Sequence, residues 1–332
     1  MVRRVWTGLA GLLLITACGR QAPPSAPPTP PPPPKPAADA TQAAPKKAGK
    51  WVVGMSQCNL GEPWRKQMNT DLETAAAQHA DQLELVFNDA QNDSARQQAQ
   101  VRDFISRGVD LIIISPKEAK PLAKPVSEAM AKHIPVIVLD RDLDGGDYTC
   151  FIGGDNVQIG KAAGQYLVKL LGGKGKVVEL KGLETSVPSH DRHNGFMEGI
   201  KGSQIEIVFN ADCKWLEPEA KKEMQSALTQ HQQIDAVYGH NDPSAHGAYL
   251  AAKQAGRDKE MKFIGIDALP HEGVQYVKEG ILAATFEYPT GGAEAIDTAL
   301  KILGGGQVAK RITLGTKRFT KDNADKGGEA VK

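Results

Sequence analysis

The chain has 332 residues, 41% of them hydrophobic and 24% charged, and its formal net charge at neutral pH is +1. A chain of this length divides into more than one lobe of ordinary domain size rather than growing a single core. So balanced a charge supplies no overall field for nucleic acid or an anionic membrane surface, and neither is expected as a partner.

Arg3 and Arg4 precede a mostly apolar stretch, 5–15, too short to span a bilayer as a mature helix. It ends in Ile15-Thr16-Ala17-Cys18, and small residues just before a cysteine resemble the lipobox of bacterial lipoproteins. The resemblance makes 1–18 a lipoprotein signal, with Cys18 the lipidated first residue of a mature protein held at the periplasmic or cell-surface side of a membrane. An ordinary secretory signal is the competing reading. One lipid chain anchors only marginally, so stable attachment requires several. Residues 19–50 are proline-rich and lack the branched and aromatic residues a core needs. They are expected to be disordered in the polyproline conformation, and at ~3.1 Å per residue their proline core spaces the body roughly 40 Å from its anchor. A proline-rich recognition ligand is the alternative.

From Trp51 onward, apolar β-rich runs alternate with helical patterns. The runs are 51–55, 83–87, 111–114, 136–139, 150–152, 176–180, 205–209, 236–238, 263–266 and 282–286. The helical patterns are 63–80, 94–107, 159–171, 218–230, 243–255 and 291–303. Short runs with few polar residues imply burial on both faces, as in a parallel sheet covered by helices. Asn92 or Asp93 can cap the helix that ends at Arg107-Gly108, and Pro135 suits a strand start. The fold class is α/β, doubly wound.

In such sheets ligands bind outside the carboxyl ends of the strands. Asn88-Asp89, Asp140-Arg141, His240-Asn241-Asp242, Asp267 and Glu287 each follow an apolar run. Helix capping accounts equally well for Asp89, Asp242 and Asp267. Arg141 is different, because a guanidinium after a buried strand needs partners and offers paired planar donors to adjacent hydroxyls. Trp64 and Trp215 can cover the C–H face of a sugar ring, although core packing is the other use of a tryptophan. The constellation suits a neutral polyol better than a phosphate.

At these residues the chain resembles the ribose/galactose class of type I periplasmic sugar-binding proteins of ABC transporters, and within it the galactofuranose-binding branch. The likeness rests on Val53-Gly54-Met55-Ser56-Gln57 followed by Pro63-Trp64-Arg65; Val138-Leu139-Asp140-Arg141; Gly154-Asp155-Asn156; Asp191-Arg192 with Gly195-Phe196; Val237-Tyr238-Gly239-His240-Asn241-Asp242; and Ile264-Gly265-Ile266-Asp267. It implies two doubly wound parallel-sheet lobes joined by three crossover strands: 51–153 with 288–318, and 154–287 with 319–332. It further implies ligand contacts from Trp64, Arg65, Asp89, Asp140 and Arg141 on the first lobe. Arg192, Trp215, Asn241, Asp267 and Glu287 contribute from the second lobe and hinge. The implied partners are a sugar and a membrane ABC permease, or a chemoreceptor or sensor kinase, with the protein itself a monomer. Glu62 stands where ribose-type members carry asparagine, and Glu287 where many carry glutamine. The stretch 184–193 departs from the pattern around Ser186-Val187-Pro188-Ser189.

Gly172-Gly173-Lys174-Gly175-Lys176 precedes a strand instead of opening a helix, so it reads as a turn and not a phosphate cradle. His190 and His193 find no third ligand at convincing spacing, so no metal and no cofactor are expected. Paired carboxylates such as Asp267 and Glu287 raise the possibility of a glycosidase, but both already have binding roles and no enzyme is expected. A sugar-responsive repressor needs a DNA-reading helical motif ahead of the core, where this chain has a signal and a spacer. Without Cys18, the remaining Cys58, Cys150 and Cys213 allow at most one disulfide.

Overall fold

A computed structural model describes residues 49–331. The signal segment, the lipobox Cys18 and nearly all of the proline spacer lie outside the described residues.

The elements in chain order are β1 (Trp51–Gln57), α1 (Pro63–Ala77), β2 (Leu83–Asp89), α2 (Ser94–Arg107), β3 (Leu111–Ser115), α3 (Ala119–Ala131), β4 (Val136–Leu139) and β5 (Cys150–Gly154). They continue with α4 (Asn156–Leu170), β6 (Lys174–Lys181), α5 (Val187–Ile200), β7 (Gln204–Asp212), α6 (Glu217–Gln230), β8 (Ala236–Gly239) and α7 (Asp242–Gln254). The chain closes with β9 (Lys262–Asp267), α8 (Gly273–Lys278), β10 (Ala284–Glu287), α9 (Gly292–Leu303), β11 (Arg311–Leu314), β12 (Lys317–Thr320) and β13 (Glu329–Ala330).

These strands form two sheets, ordered β11-β5-β4-β3-β1-β2 and β13-β12-β10-β9-β8-β6-β7. Every pairing in the first sheet is parallel, and in the second only β12 runs antiparallel to its neighbours β10 and β13. Within the described residues the chain passes between sheets three times: after β5, after β10 and between β11 and β12. The strand order reverses at β1/β3 in one sheet and at β6/β8 in the other, the switch points that open a crevice at the strand ends.

The continuous apolar runs have a direct explanation. Ile113, Ile137 and Leu139 belong to one buried core cluster, while their neighbours Ile112, Ile114, Val136 and Val138 belong to another on the opposite face. Each strand residue is therefore buried whichever way it points, and each such side chain contributes about 1.5–3 kcal/mol of burial. Local signals act as expected at α2, where Asp93 accepts from the Ala95 and Arg96 N–H groups and Gly108 closes the helix at φ 66°.

Three helices and the last three strands have no counterpart among the sequence-predicted elements. Helix α3 carries Pro125 in its interior. The buried side of α5 is Pro188, Ser189, Arg192 and Gly195 before it reaches Phe196 and Ile200, so its first half shows no apolar stripe. Helix α8 spans six residues, too few for a period to register. Cys58, Cys150 and Cys213 are buried free thiols, which resolves the disulfide question left open by their number.

Candidate ligand-binding site

A cavity lies where the strand ends of the two sheets meet. Its wall on the side of the first sheet is built from Glu62, Trp64 and Arg65 at the start of α1, and Asp140 and Arg141 after β4. The facing wall comes from Pro188 and Arg192 on α5, Trp215 after β7, Asn241 before α7 and Asp267 at the end of β9, with Tyr288 after β10. All the charged groups are deeply buried: Arg65 and Arg192 are 2% exposed and Asp267 7%.

Pro63 opens α1 and fixes the direction in which Trp64 and Arg65 leave the first turn. Arg65 then ties three strands together. Its guanidinium donates to the Asp140 carboxylate at 2.6 Å, to the Ser115 hydroxyl at 2.7 Å and to the Gln57 side-chain oxygen at 3.3 Å. Arg141 lies 3.8 Å from Glu62 and 3.9 Å from Asp140, both beyond hydrogen-bond reach, and donates to the Lys117 carbonyl at 3.3 Å. Burial pushes the Asp140 carboxyl up, but the charges of Arg65 and Arg141 outweigh it and hold the group below the ordinary aspartate range.

Arg192 is placed by close helix packing. A Cβ at Gly160 would lie 2.3 Å from the Arg192 carbonyl oxygen, so only glycine lets α4 seat α5 this closely. Its guanidinium donates to the Asn156 side-chain oxygen at 2.9 Å and to the His240 carbonyl, and it lies over the rings of Tyr288 (4.5 Å) and Trp215 (5.2 Å). Arg141 approaches the same Trp215 ring at 5.6 Å, so one indole lies beside a cation from each wall. Gly182 makes room for it: a Cβ there would come within 2.2 Å of the indole.

Asn241 caps α7 by accepting from the Ser244 N–H, and donates to the Trp215 carbonyl at 3.1 Å. Asp242 beside it does not line the cavity. It is fully buried and accepts from the Ala268 N–H and the Thr285 hydroxyl, each at 2.7 Å, which fixes the backbone after Asp267. Among the described residues the Asp267 carboxylate has no hydrogen-bond partner, and its nearest cation is Arg192 at 4.0 Å. Burial lifts its pKa well above the aspartate value; Arg192 works against this and the neighbouring Asp242 adds to it. Asp140, Trp215 and Asp267 have φ of 72°, 70° and 126°, conformations that non-glycine residues hold only where the surroundings impose them.

Residues 53–307 match the periplasmic binding protein domain family. The chain belongs to that family. This periplasmic binding protein is 33% identical to the ribose import binding protein of Escherichia coli over 254 residues, covering 75% of this chain and 85% of the relative. It is 31% identical to the galactofuranose-binding protein of Escherichia coli over 289 residues, covering 84% and 90%. Among solved structures, the fructose-binding periplasmic domain of a hybrid two-component system is 41% identical with a TM-score of 0.81, covering 83% of this chain and 93% of that one.

Of the ten ligand contacts expected from sequence, Trp64, Arg65, Asp140, Arg141, Arg192, Trp215, Asn241 and Asp267 line the cavity of the periplasmic binding protein, and Asp89 and Glu287 do not. Asp89 ends β2, the edge strand of its sheet, and its carboxylate turns back to accept from the Gln91 N–H at 2.8 Å. Glu287 lines a neighbouring, larger groove that shares Asp267 and Tyr288 with the cavity, while of the two residues only Tyr288 reaches the cavity itself. Strand alternation is the reason: Phe286 and Tyr288 point to one side and Glu287 to the other. Sequence reasoning missed Tyr288 and Pro188 as wall residues and noted Glu62 only as a departure. The signal for Tyr288 was present, an aromatic immediately after a strand end.

Proposed function

We propose that this protein is an extracytoplasmic solute receptor that encloses one monosaccharide, without chemistry, and delivers it to a membrane ABC permease. The observation that carries the reading is the cavity lined by three buried guanidiniums and three buried carboxylates, in which the Asp267 carboxylate makes no hydrogen bond among the described residues. Equal numbers of anions and cations fit a neutral ligand rich in hydroxyls, which both accept and donate. The rings of Trp64, Trp215 and Tyr288 supply apolar faces for its C–H groups. Ribose, galactofuranose and fructose, for which the relatives are named, are all single-ring sugars.

In this reading residues 51–153 with 288–318 and residues 154–287 with 319–332 are the two lobes that close on the sugar. Cys18 carries the lipid anchor and the proline segment is the spacer. Likeness to a domain of a two-component system supports a second reading of the same site, in which occupancy is passed to a sensor kinase.

Calorimetry with ribose, fructose, galactose, arabinose and myo-inositol, and with maltose as a two-ring control, tests the proposal. One-to-one binding of at least one single-ring compound, and none of maltose, is the expected result. No heat with any single-ring compound would remove the sugar reading.

A further inference from the structure

Behind the Arg192 wall lies a cluster that the ligand contacts do not use. Glu179, in the middle of β6, is fully buried, and its carboxylate is 2.9 Å from Nδ1 of His193 on α5 and 2.9 Å from Nε2 of His240 after β8. The Gly182 N–H donates to Nδ1 of His240 at 3.3 Å, which leaves the proton of that ring on Nε2, facing Glu179. His240 is therefore satisfied as a neutral ring. His193 is the ring at the protein surface, with 38% of its side chain exposed.

Each imidazole is joined to the cavity by one step of chain. His193 follows Arg192, and His240 precedes Asn241 and accepts from Arg192 through its carbonyl. Two segments that carry ligand-facing residues, α5 and the turn between β8 and α7, are thus held to one buried carboxylate. We infer that Glu179, His193 and His240 form a positioning relay for the ligand site: a proton on His193 holds Arg192 and Asn241 in place, so that ligand binding weakens as pH rises and His193 loses that proton. The inference rests on the reading that the cavity binds a ligand.

The charged and titratable groups that act on His193 are Glu179 and Lys181 from β6 and His240 after β8. Lys181 is paired with Glu184 at 2.8 Å, and on the neighbouring α4 Lys161 is paired with Glu198 at 2.6 Å. The hydrogen bond with Glu179 raises the His193 pKa against the opposing effects of burial and Lys181. Burial lowers that of His240 despite Glu179. Burial would raise Glu179, but its two imidazole partners outweigh that and hold it at about 2. His193 is the member of the cluster whose protonated form the buried carboxylate favours. Below its raised pKa the buried carboxylate faces an imidazolium, and above it only neutral N–H donors.

The test compares wild type with His193→Gln and Glu179→Gln, which keep a hydrogen-bonding side chain at each position and cannot titrate. Affinities for ribose, fructose and galactose are measured at a pH near 6 and a pH near 9. In the absence of sugar, Trp215 emission, isolated by subtracting a Trp215→Phe control, is followed over the same range, because Trp215 stacks against Arg192. The expected result is a ~5-fold loss of wild-type affinity toward high pH, a flat profile in both variants, and a Trp215 titration that disappears with His193→Gln. Parallel wild-type and His193→Gln profiles, or a Trp215 titration unchanged by His193→Gln, overturn the relay. If no sugar binds but the His193-dependent Trp215 titration is present, the sugar reading falls and the relay stands.

Discussion

The two walls of the cavity handle buried charge in opposite ways. On the side of the first sheet, Glu62, Arg65, Asp140 and Arg141 interlock, with ion pairs at 2.6, 3.7, 3.8 and 3.9 Å and further bonds to Ser115 and Gln57. On the facing wall, Arg192 and Asp267 stand 4.0 Å apart without a hydrogen bond. The Arg192 charge rests instead on aromatic faces, an amide and a backbone carbonyl, and the Asp267 carboxylate is left open. Burying a charge costs several kcal/mol unless partners compensate. The first wall is compensated by the protein itself. On the second, among the described residues, only the Asp267 carboxylate is left without a hydrogen bond, so the first wall should behave as architecture and the second as the surface that a ligand changes most.

Removing a member of the first wall gives the largest expected effect. Arg65→Met leaves the buried Asp140 carboxylate to the Ser115 hydroxyl at 3.1 Å and Arg141 at 3.9 Å, and should destabilise the unliganded protein by ~3–5 kcal/mol in a denaturant titration. A loss below about 1 kcal/mol would erase the distinction between the walls. Asp267→Asn comes next and should separate binding from stability. Asparagine tolerates the positive φ, so the unliganded melting temperature should hold or rise, while calorimetry shows sugar affinity weaker by about 2–4 kcal/mol. The same substitution tests the sign of the pH effect. Because the folded pKa of Asp267 is raised, its stabilising effect is present in full below the ordinary aspartate value and is lost as pH rises through the raised one. Wild type should lose stability over that interval and Asp267→Asn should not. The smallest effect is expected at Gly182→Ala, where the added methyl must displace the Trp215 indole. Here affinity should fall by about 1–3 kcal/mol with the melting temperature little changed, and a large fall in melting temperature would show Trp215 to be architecture as well.

Much of this arrangement could be read from the residues. Alternating buried runs and helical patterns specified parallel sheets, and a polar residue after a buried strand marked Asp140, Arg141, Asn241 and Asp267. What hid the rest was the chemistry of the site. Helix α5 turns Ser189, Arg192 and Gly195 inward, so the first half of its inward face lacks the apolar period that announces a helix. Glu179 sits inside a run of Val177, Val178 and Leu180 and reads as part of an ordinary buried strand, because its two imidazole partners are 14 and 61 residues away. At Asn241-Asp242 the sequence offered two equivalent acids or amides. The first caps the helix and faces the cavity, and the second is spent on Ala268 and Thr285.

Local pattern alone determined that these strands would be buried on both faces and that their ends would be polar, since each follows from a few neighbouring residues. Only the tertiary structure decided which ends meet. Asp89 is excluded because its strand lies at a sheet edge, and Glu287 because a side chain one position off in an extended strand points to the opposite face. Strand order and facing direction depend on contacts between distant segments, and no stretch of sequence carries them by itself.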